Sequence, residues 1–207
     1  MKTLVAIPCL DMMQTPFVRS LVGMNLSGDA VEYHFGMNSL VYDARNQMAE
    51  KAVRLGFDRV LWIDSDMVFQ PDLMTRLMKH LDDGMPFCCG LFTTRKPPII
   101  PCIYKRIDER GPHGPIAESM EDYPKDSVFE VAGSGFGAVM METSVIRAVM
   151  NSFGWPFSPI LGFGEDLSFC YRAGKLGIKM YCDSSIKIGH VGYTIFDESA
   201  IKREGKE

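Results

Sequence analysis

The chain has little that would suit it to a membrane or a polyanion. Across 207 residues, 22 Lys and Arg face 26 Asp and Glu, for a net charge of −4. Without a positive surplus there is no electrostatic basis for broad binding to nucleic acid or to an anionic bilayer. Long apolar runs are missing too. The opening MKTLVAIPCLDMM imitates a signal peptide, but Pro8 interrupts the run and Asp11 closes it. That is too short for a leader or a membrane span. The expectation is a first strand, in a chain that begins at Met1 and stays in the cytoplasm. The six cysteines (Cys9, Cys88, Cys89, Cys102, Cys170, Cys182) form no CxxC pair and no zinc-like spacing. Reduced, mostly buried thiols are expected instead of a disulfide framework. No internal repeat and no low-complexity segment is present.

What is there is an ordinary globular composition, 46% hydrophobic and 23% charged, enough for one sizeable α/β domain. TLVAIP (3–8) reads as a strand buried on both faces of a parallel sheet. An apolar helix is expected around Pro16 to Met24, then a strand at VEYHFG (31–36). From Asp43 the apolar period becomes helical through Ala44, Met48, Ala49, Ala52 and Val53, with Gly56 placed to stop it. RVLWID (59–64) is a central strand. QPDLMTRLMKHLDDG predicts a helix with Pro71 in its first turn, ending near Gly84. PFCCGLF (86–92) is a further buried strand.

Between Thr93 and Lys125 the regularity fails. Residues 104–130 hold seven carboxylates against four Lys and Arg, and Pro and Gly punctuate the stretch. An elaborated loop or a small antiparallel flap over the active site is expected. VFEVAGSGFGAVMMET gives two strand pieces around a Gly-rich bend, with Thr143 as the cap of a helix through Met150. GFGEDLSFCYRAGKLG is a helix, followed by short strands at IKMYCD and IKIGHVGY and a polar, frayed end.

Four places carry chemistry. Asp64 and Asp66 close an apolar strand, and residues two apart on a strand share a face, with Cα atoms about 6.6 Å apart. Ligands of parallel α/β sheets bind at the carboxyl ends of strands. Two converging carboxylates repel unless a cation lies near them, and Mg²⁺ or Mn²⁺ takes such oxygens while bridging to phosphate. Simple solvation at a strand end, or capping of the turn before Pro71, is the plain alternative. Glu165 and Asp166 follow Gly162-Phe163-Gly164 at a helix start, as ordinary first-turn acids or as a general base. His190 sits between Gly189 and Gly192 at a strand end, structural or a ligand. Gly133-Ser134-Gly135 is a small-residue bend that suits either a close-lying substrate or a tight hairpin.

Taken in order, TLVAIP, DARNQMAEKAVRLGFDRVLWIDSDMVFQPD, AGSGFGAVMM and GFGEDLSFCYRAGKLGIKMYCDSSIKIGHVG resemble glycosyltransferases of the GT-A fold, in the broad family-2-like group. Residues 93–127 have no clear match. The resemblance implies an α/β, Rossmann-like single domain over 1–207 with a mixed, mostly parallel central sheet flanked by helices. Residues 1–92 would form the nucleotide-sugar half, 93–130 an irregular loop or flap, 131–196 the acceptor and catalytic half, and 197–207 a tail.

The same resemblance implies a Mn²⁺- or Mg²⁺-dependent transfer from a nucleoside-diphosphate sugar, a UDP-sugar by preference, to an acceptor hydroxyl, with inversion favoured over retention. It assigns the metal to Asp64, Asp66 and His190, with Asp64 also turned toward the sugar-nucleotide. Pro8, Cys9 and Leu10 would form the nucleotide pocket together with Ser65, Arg45 would lie near the diphosphate, and Gly133, Ser134 and Gly135 would border the donor. Asp166 is the expected base, with Glu165 as an acceptor-binding alternative. The acceptor (a glycan, a protein, a small molecule or a modified nucleobase) would be read by the unmatched stretch. Two other readings stand beside this one: a non-catalytic nucleotide-sugar or glycan-binding protein on the same fold, and a nucleotidyltransferase. The Gly-rich, Lys/Arg-bearing loop expected of the latter after the first strand is missing.

Overall fold

A computed structural model of the chain describes residues 1–26, 28–37, 39–111, 114–160 and 162–192. The expected polar end at 197–207 lies outside the described residues. The order of elements is β1 (Lys2–Pro8), α1 (Thr15–Val22), β2 (Ala30–Gly36), α2 (Val41–Arg54), β3 (Arg59–Ile63), β4 (Met67–Val68), α3 (Leu73–Asp82) and β5 (Phe87–Leu91). There follow β6 (Ile103–Gly111), β7 (Gly114–Ser119), β8 (Val128–Val131), β9 (Gly133–Ser134), β10 (Ala138–Glu142), α4 (Thr143–Phe153), α5 (Glu165–Lys175), β11 (Met180–Lys187) and β12 (Gly189–His190).

Seven strands form the central sheet in the order β2-β1-β3-β10-β5-β11-β8. β2, β1 and β3 run parallel, as do β5 and β11, while β10 and β8 run against their neighbours. The sheet is therefore mixed and mostly parallel, as expected. Alternation along β1 and β3 divides the core in two. Leu4, Ala6, Val60 and Trp62 face a cluster that includes Met48, Ile146 and Phe169, from α2, α4 and α5. Val5, Ile7, Leu61 and Ile63 face one that includes Phe17, Leu73 and Leu77, from α1 and α3. Both faces of the strands are covered, which is why they read as unbroken apolar runs.

The helices end where left-handed backbone is available: Gly56 has φ +64 after α2 and Gly84 has φ +86 after α3. Two expected boundaries shift. Pro71 lies before α3 rather than in its first turn, with Asp72 at the N-cap position. Glu142, not Thr143, holds the N-cap position of α4, and the Thr143 hydroxyl is buried without a partner. Burial has taken that side chain into the core, away from the helix end.

The irregular stretch resolves into an antiparallel flap. β6 pairs with β7, and β6 joins β9 in a separate three-stranded sheet. All six cysteines are free; Cys88, Cys89, Cys170 and Cys182 are buried and Cys9 and Cys102 half-buried. Among the described residues no helix is long and apolar enough to cross a membrane.

Candidate active site

β1, β2 and β3 all end at one edge of the sheet, and the acids gather there. β3 ends at Ile63, so Asp64 and Asp66 lie in the turn that leaves the strand, closed by the Met67 amide donating to the Asp64 carbonyl at 3.2 Å. The turn sends the two carboxylates to different partners, in place of the shared strand face expected from spacing. Asp64 Oδ1 accepts from Arg45 Nη2 at 2.6 Å. Asp66 Oδ2 accepts from Arg95 Nη1 and lies 3.3 Å from His190 Nε2.

Arg45, expected near a diphosphate, is 1% exposed and lies beneath the site. Its guanidinium carbon is 5.2 Å from the Phe136 ring, 5.7 Å from Trp62 and 5.9 Å from Phe157, close enough for cation–π attraction. Its Nε donates to Glu165 Oε1 at 3.4 Å. One buried cation thus ties the acid that leaves β3 to the acid that opens α5. Burial pushes the Asp64 carboxyl above its ordinary value; Arg45 opposes the shift, while Asp66 and Glu165 add to it.

Asp166 opens α5 beside Glu165. Its Oδ1 accepts from the Leu167 amide at 2.7 Å. Burial, then the neighbouring Glu165 charge, raises its pKa to about 6 against the pull of that amide and of Arg45. Its other oxygen packs on Gly135, 3.6 Å from where a Cβ would stand. Gly135 therefore borders the site. Gly133 and Ser134, expected to border a donor, are interior: a Cβ on Gly133 would stand 2.5 Å from Ile107 and 2.7 Å from Cys170 Cβ, and Ser134 is fully buried. These residues let the flap close onto α5, and their small size serves packing.

Pro8, Cys9, Leu10 and Ser65 come together, lining with Gly36, Ser39, Val41 and Ala44 a cavity of about 270 Å³. None of Asp64, Asp66, Glu165 and Asp166 lines this cavity; Ser65 alone carries it to the turn that holds the two aspartates.

His190 is fixed by its other ring nitrogen. Nδ1 is 2.8 Å from the Thr93 carbonyl, an acceptor, so Nδ1 carries the proton and Nε2 is turned to Asp66. β12 pairs with β4, and the Val191 amide donates to the Asp66 carbonyl at 2.8 Å, which sets this register. Among the described residues no group of three or more His, Cys, Asp or Glu converges on a cation. The expected trio reduces to Asp66 and His190, because Arg45 has taken Asp64. A carboxylate oxygen beside an imidazole nitrogen of fixed tautomer nevertheless suits a divalent ion completed by phosphate and water.

Sequence reasoning missed Arg95, Cys102 and Tyr104. Cys102 is raised to about 12 by burial, Asp166 and Asp64, and Tyr104 to about 12 by burial, Cys102 and Asp166. Both lie in the stretch where no period or motif marks a residue, and only the flap's return to β9 brings them beside the acids.

No family model matches the chain, and no curated protein is similar to it in sequence. Solved structures share its fold. A197 from STIV is 18% identical, with a TM-score of 0.63 over 93% of this chain and 87% of that one. GalNAc-T7, crystallised with UDP, GalNAc and Mn²⁺, is 12% identical, with a TM-score of 0.63 over 93% of this chain; the match spans 43% of that protein. At these identities the likeness speaks to architecture, which is GT-A-like.

Proposed function

We propose that the chain is a metal-dependent glycosyltransferase, moving a sugar from a UDP-sugar to an acceptor hydroxyl with inversion. The observation that carries this reading is the pairing of two acid centres through one buried cation. Asp66 with His190 lies at the exit of β3, Asp166 at the head of α5, and Arg45 bridges between through Asp64 and Glu165.

Asp66 and His190 would hold Mn²⁺ or Mg²⁺. Bound there, such an ion stabilises the charge that develops on a diphosphate leaving group. The cavity of Pro8, Cys9, Leu10 and Ser65 receives the nucleoside. Asp166 takes the proton of the acceptor hydroxyl; a carboxylate near 6 is mostly ionised at neutral pH yet more basic than an ordinary one. Cys102 and Tyr104 stay neutral at pH 7 and add no negative charge beside the donor. The flap of β6 and β7 supplies the acceptor side.

Release of UDP from UDP-sugars, with and without Mn²⁺, tests the reading even before the acceptor is known. Asp66→Ala is expected to lose both Mn²⁺-dependent donor binding and release. Asp166→Asn is expected to keep UDP binding and lose about 10²-fold or more in transfer. Unchanged turnover in Asp66→Ala overturns the proposal, and pyrophosphate as the product would assign nucleotidyl transfer instead.

A further inference from the structure

Asp66 is already paired with a cation of the chain's own. Arg95 Nη1 donates to Oδ2, the same oxygen that lies 3.3 Å from His190 Nε2. The Arg95 side chain is 44% exposed, whereas Asp66 is 22% and His190 16% exposed. Arg95 is therefore the most exposed of the three groups that meet at this oxygen.

The backbone that carries Arg95 is well fixed. Thr93 bridges to Pro101, the Thr94 amide donates to the Ile100 carbonyl at 2.9 Å, and the Cys102 amide to the Phe92 carbonyl at 2.9 Å. Inside the loop the Thr94 hydroxyl contacts the Pro98 carbonyl at 2.9 Å and accepts from the Ile100 amide at 3.1 Å. On the far side, Gly192 lies against the Arg95 backbone, 3.4 Å from where its Cβ would be. The same loop sets His190 through the Thr93 carbonyl, two residues before Arg95. It thus does two things at once: it aims Nε2 at Asp66 and places the Arg95 cation on Asp66.

We propose that Arg95 is an exchangeable cation: it occupies Asp66 until a divalent ion takes that oxygen, and it then turns to the donor diphosphate. This rests on the glycosyltransferase reading above. A doubly charged ion on Asp66 Oδ2 repels a guanidinium at the same oxygen, so the two exclude each other. A diphosphate arriving with the ion supplies new anionic oxygens beside the vacated position, and guanidinium suits such oxygens through its planar fork. The consequence is coupling. Metal alone binds against Arg95, whereas metal with nucleotide binds with its help.

The test is Mn²⁺ binding, read as loss of the free-ion paramagnetic resonance signal, together with calorimetry of UDP. Wild type, Arg95→Ala, Arg95→Lys and Asp66→Asn are compared, the last also combined with Arg95→Ala. Arg95→Ala is expected to bind Mn²⁺ alone about fivefold more tightly, the size a partly exposed ion pair can supply. In saturating Mn²⁺ it is expected to bind UDP about tenfold more weakly, with Arg95→Lys between. Mn²⁺ affinity that needs Asp66 but ignores Arg95 overturns the exchange and leaves the metal site standing. Mn²⁺ binding that is indifferent to Asp66 even without Arg95 overturns the exchange and the metal reading together. Tighter Mn²⁺ with undiminished UDP affinity overturns the transfer of Arg95 to the diphosphate.

Discussion

A carboxylate buried beside a second carboxylate resists ionisation, and Asp166 resists up to about pH 6. Its native pKa lies above the ordinary value of 3.8, so the folded state favours the protonated form. The resulting penalty is absent below 3.8, grows between 3.8 and about 6, and is complete above that. Asp166→Asn removes the penalty while keeping an acceptor oxygen for the Leu167 amide. Thermal melts should therefore show the variant more stable than wild type by about 2 kcal/mol at pH 7.5, and no more stable at pH 4. Equal stability at pH 7.5 would mean that Asp166 carries no such strain. A residue that costs stability where it would act as a base is what a catalytic carboxylate looks like in a folding measurement. The Glu-Asp pair was visible in the sequence at this scale. Arg45, which pairs with Glu165, was visible as well, but nothing in ARN says that the guanidinium points beneath the site.

Among the elements, α3 and β11 are joined by a second charged cluster with no part in the proposed chemistry. Asp183 is buried, which by itself would raise its pKa, yet hydrogen bonds from Ser185 and His80 and the Arg76 charge hold it below 3.8. His80 Nε2 lies 2.8 Å from Oδ2, and Arg76 Nη2 lies 3.4 Å from the same oxygen. Because the native pKa is depressed, the ionised form stabilises the fold above 3.8, and that contribution is lost as pH falls through the lower native value. Asp183→Ala leaves His80 and Ser185 without this acceptor and Arg76 with Ser185 alone, and about 3 kcal/mol of destabilisation is expected at pH 7 in urea melts. The difference should shrink in acid. A change below 1 kcal/mol would show the cluster to be solvated rather than structural. The strands and helices themselves were legible, because β1 from Leu4, β3 from Val60 and all of β5 are apolar, and α2 and α3 carry a clear helical period. The β6–β7 flap was legible only as a choice between loop and flap. Its alternation is diluted by charge, and its pairing with β9 joins residues about thirty apart in sequence.

For the whole molecule, a native-state ligand raises apparent stability by mass action. A thermal-shift panel of nucleotide-sugars with and without Mn²⁺ should therefore give its largest shift for a UDP-sugar with the ion. At a hundredfold excess over the dissociation constant the gain is about 2.7 kcal/mol, several degrees for a chain of this size. A panel with no Mn²⁺-dependent shift for any nucleotide-sugar would count against the donor assignment.

The sequence by itself determined the alternation of strands and helices, the two-faced core, and the acids at positions 64, 66, 165 and 166. Those follow from local period and residue type, which short stretches carry in full. Only the tertiary structure decided which acid meets which cation. Arg45 reaches Asp64 and Glu165 across 19 and 120 residues, and Arg95 reaches Asp66 across 29. Electrostatic partners are set by distance in space, and no local pattern encodes distances closed by loops of that length. A pair of aspartates that looked like one clamp is therefore divided, Asp64 paired with Arg45 from within the core and Asp66 with the partly exposed Arg95.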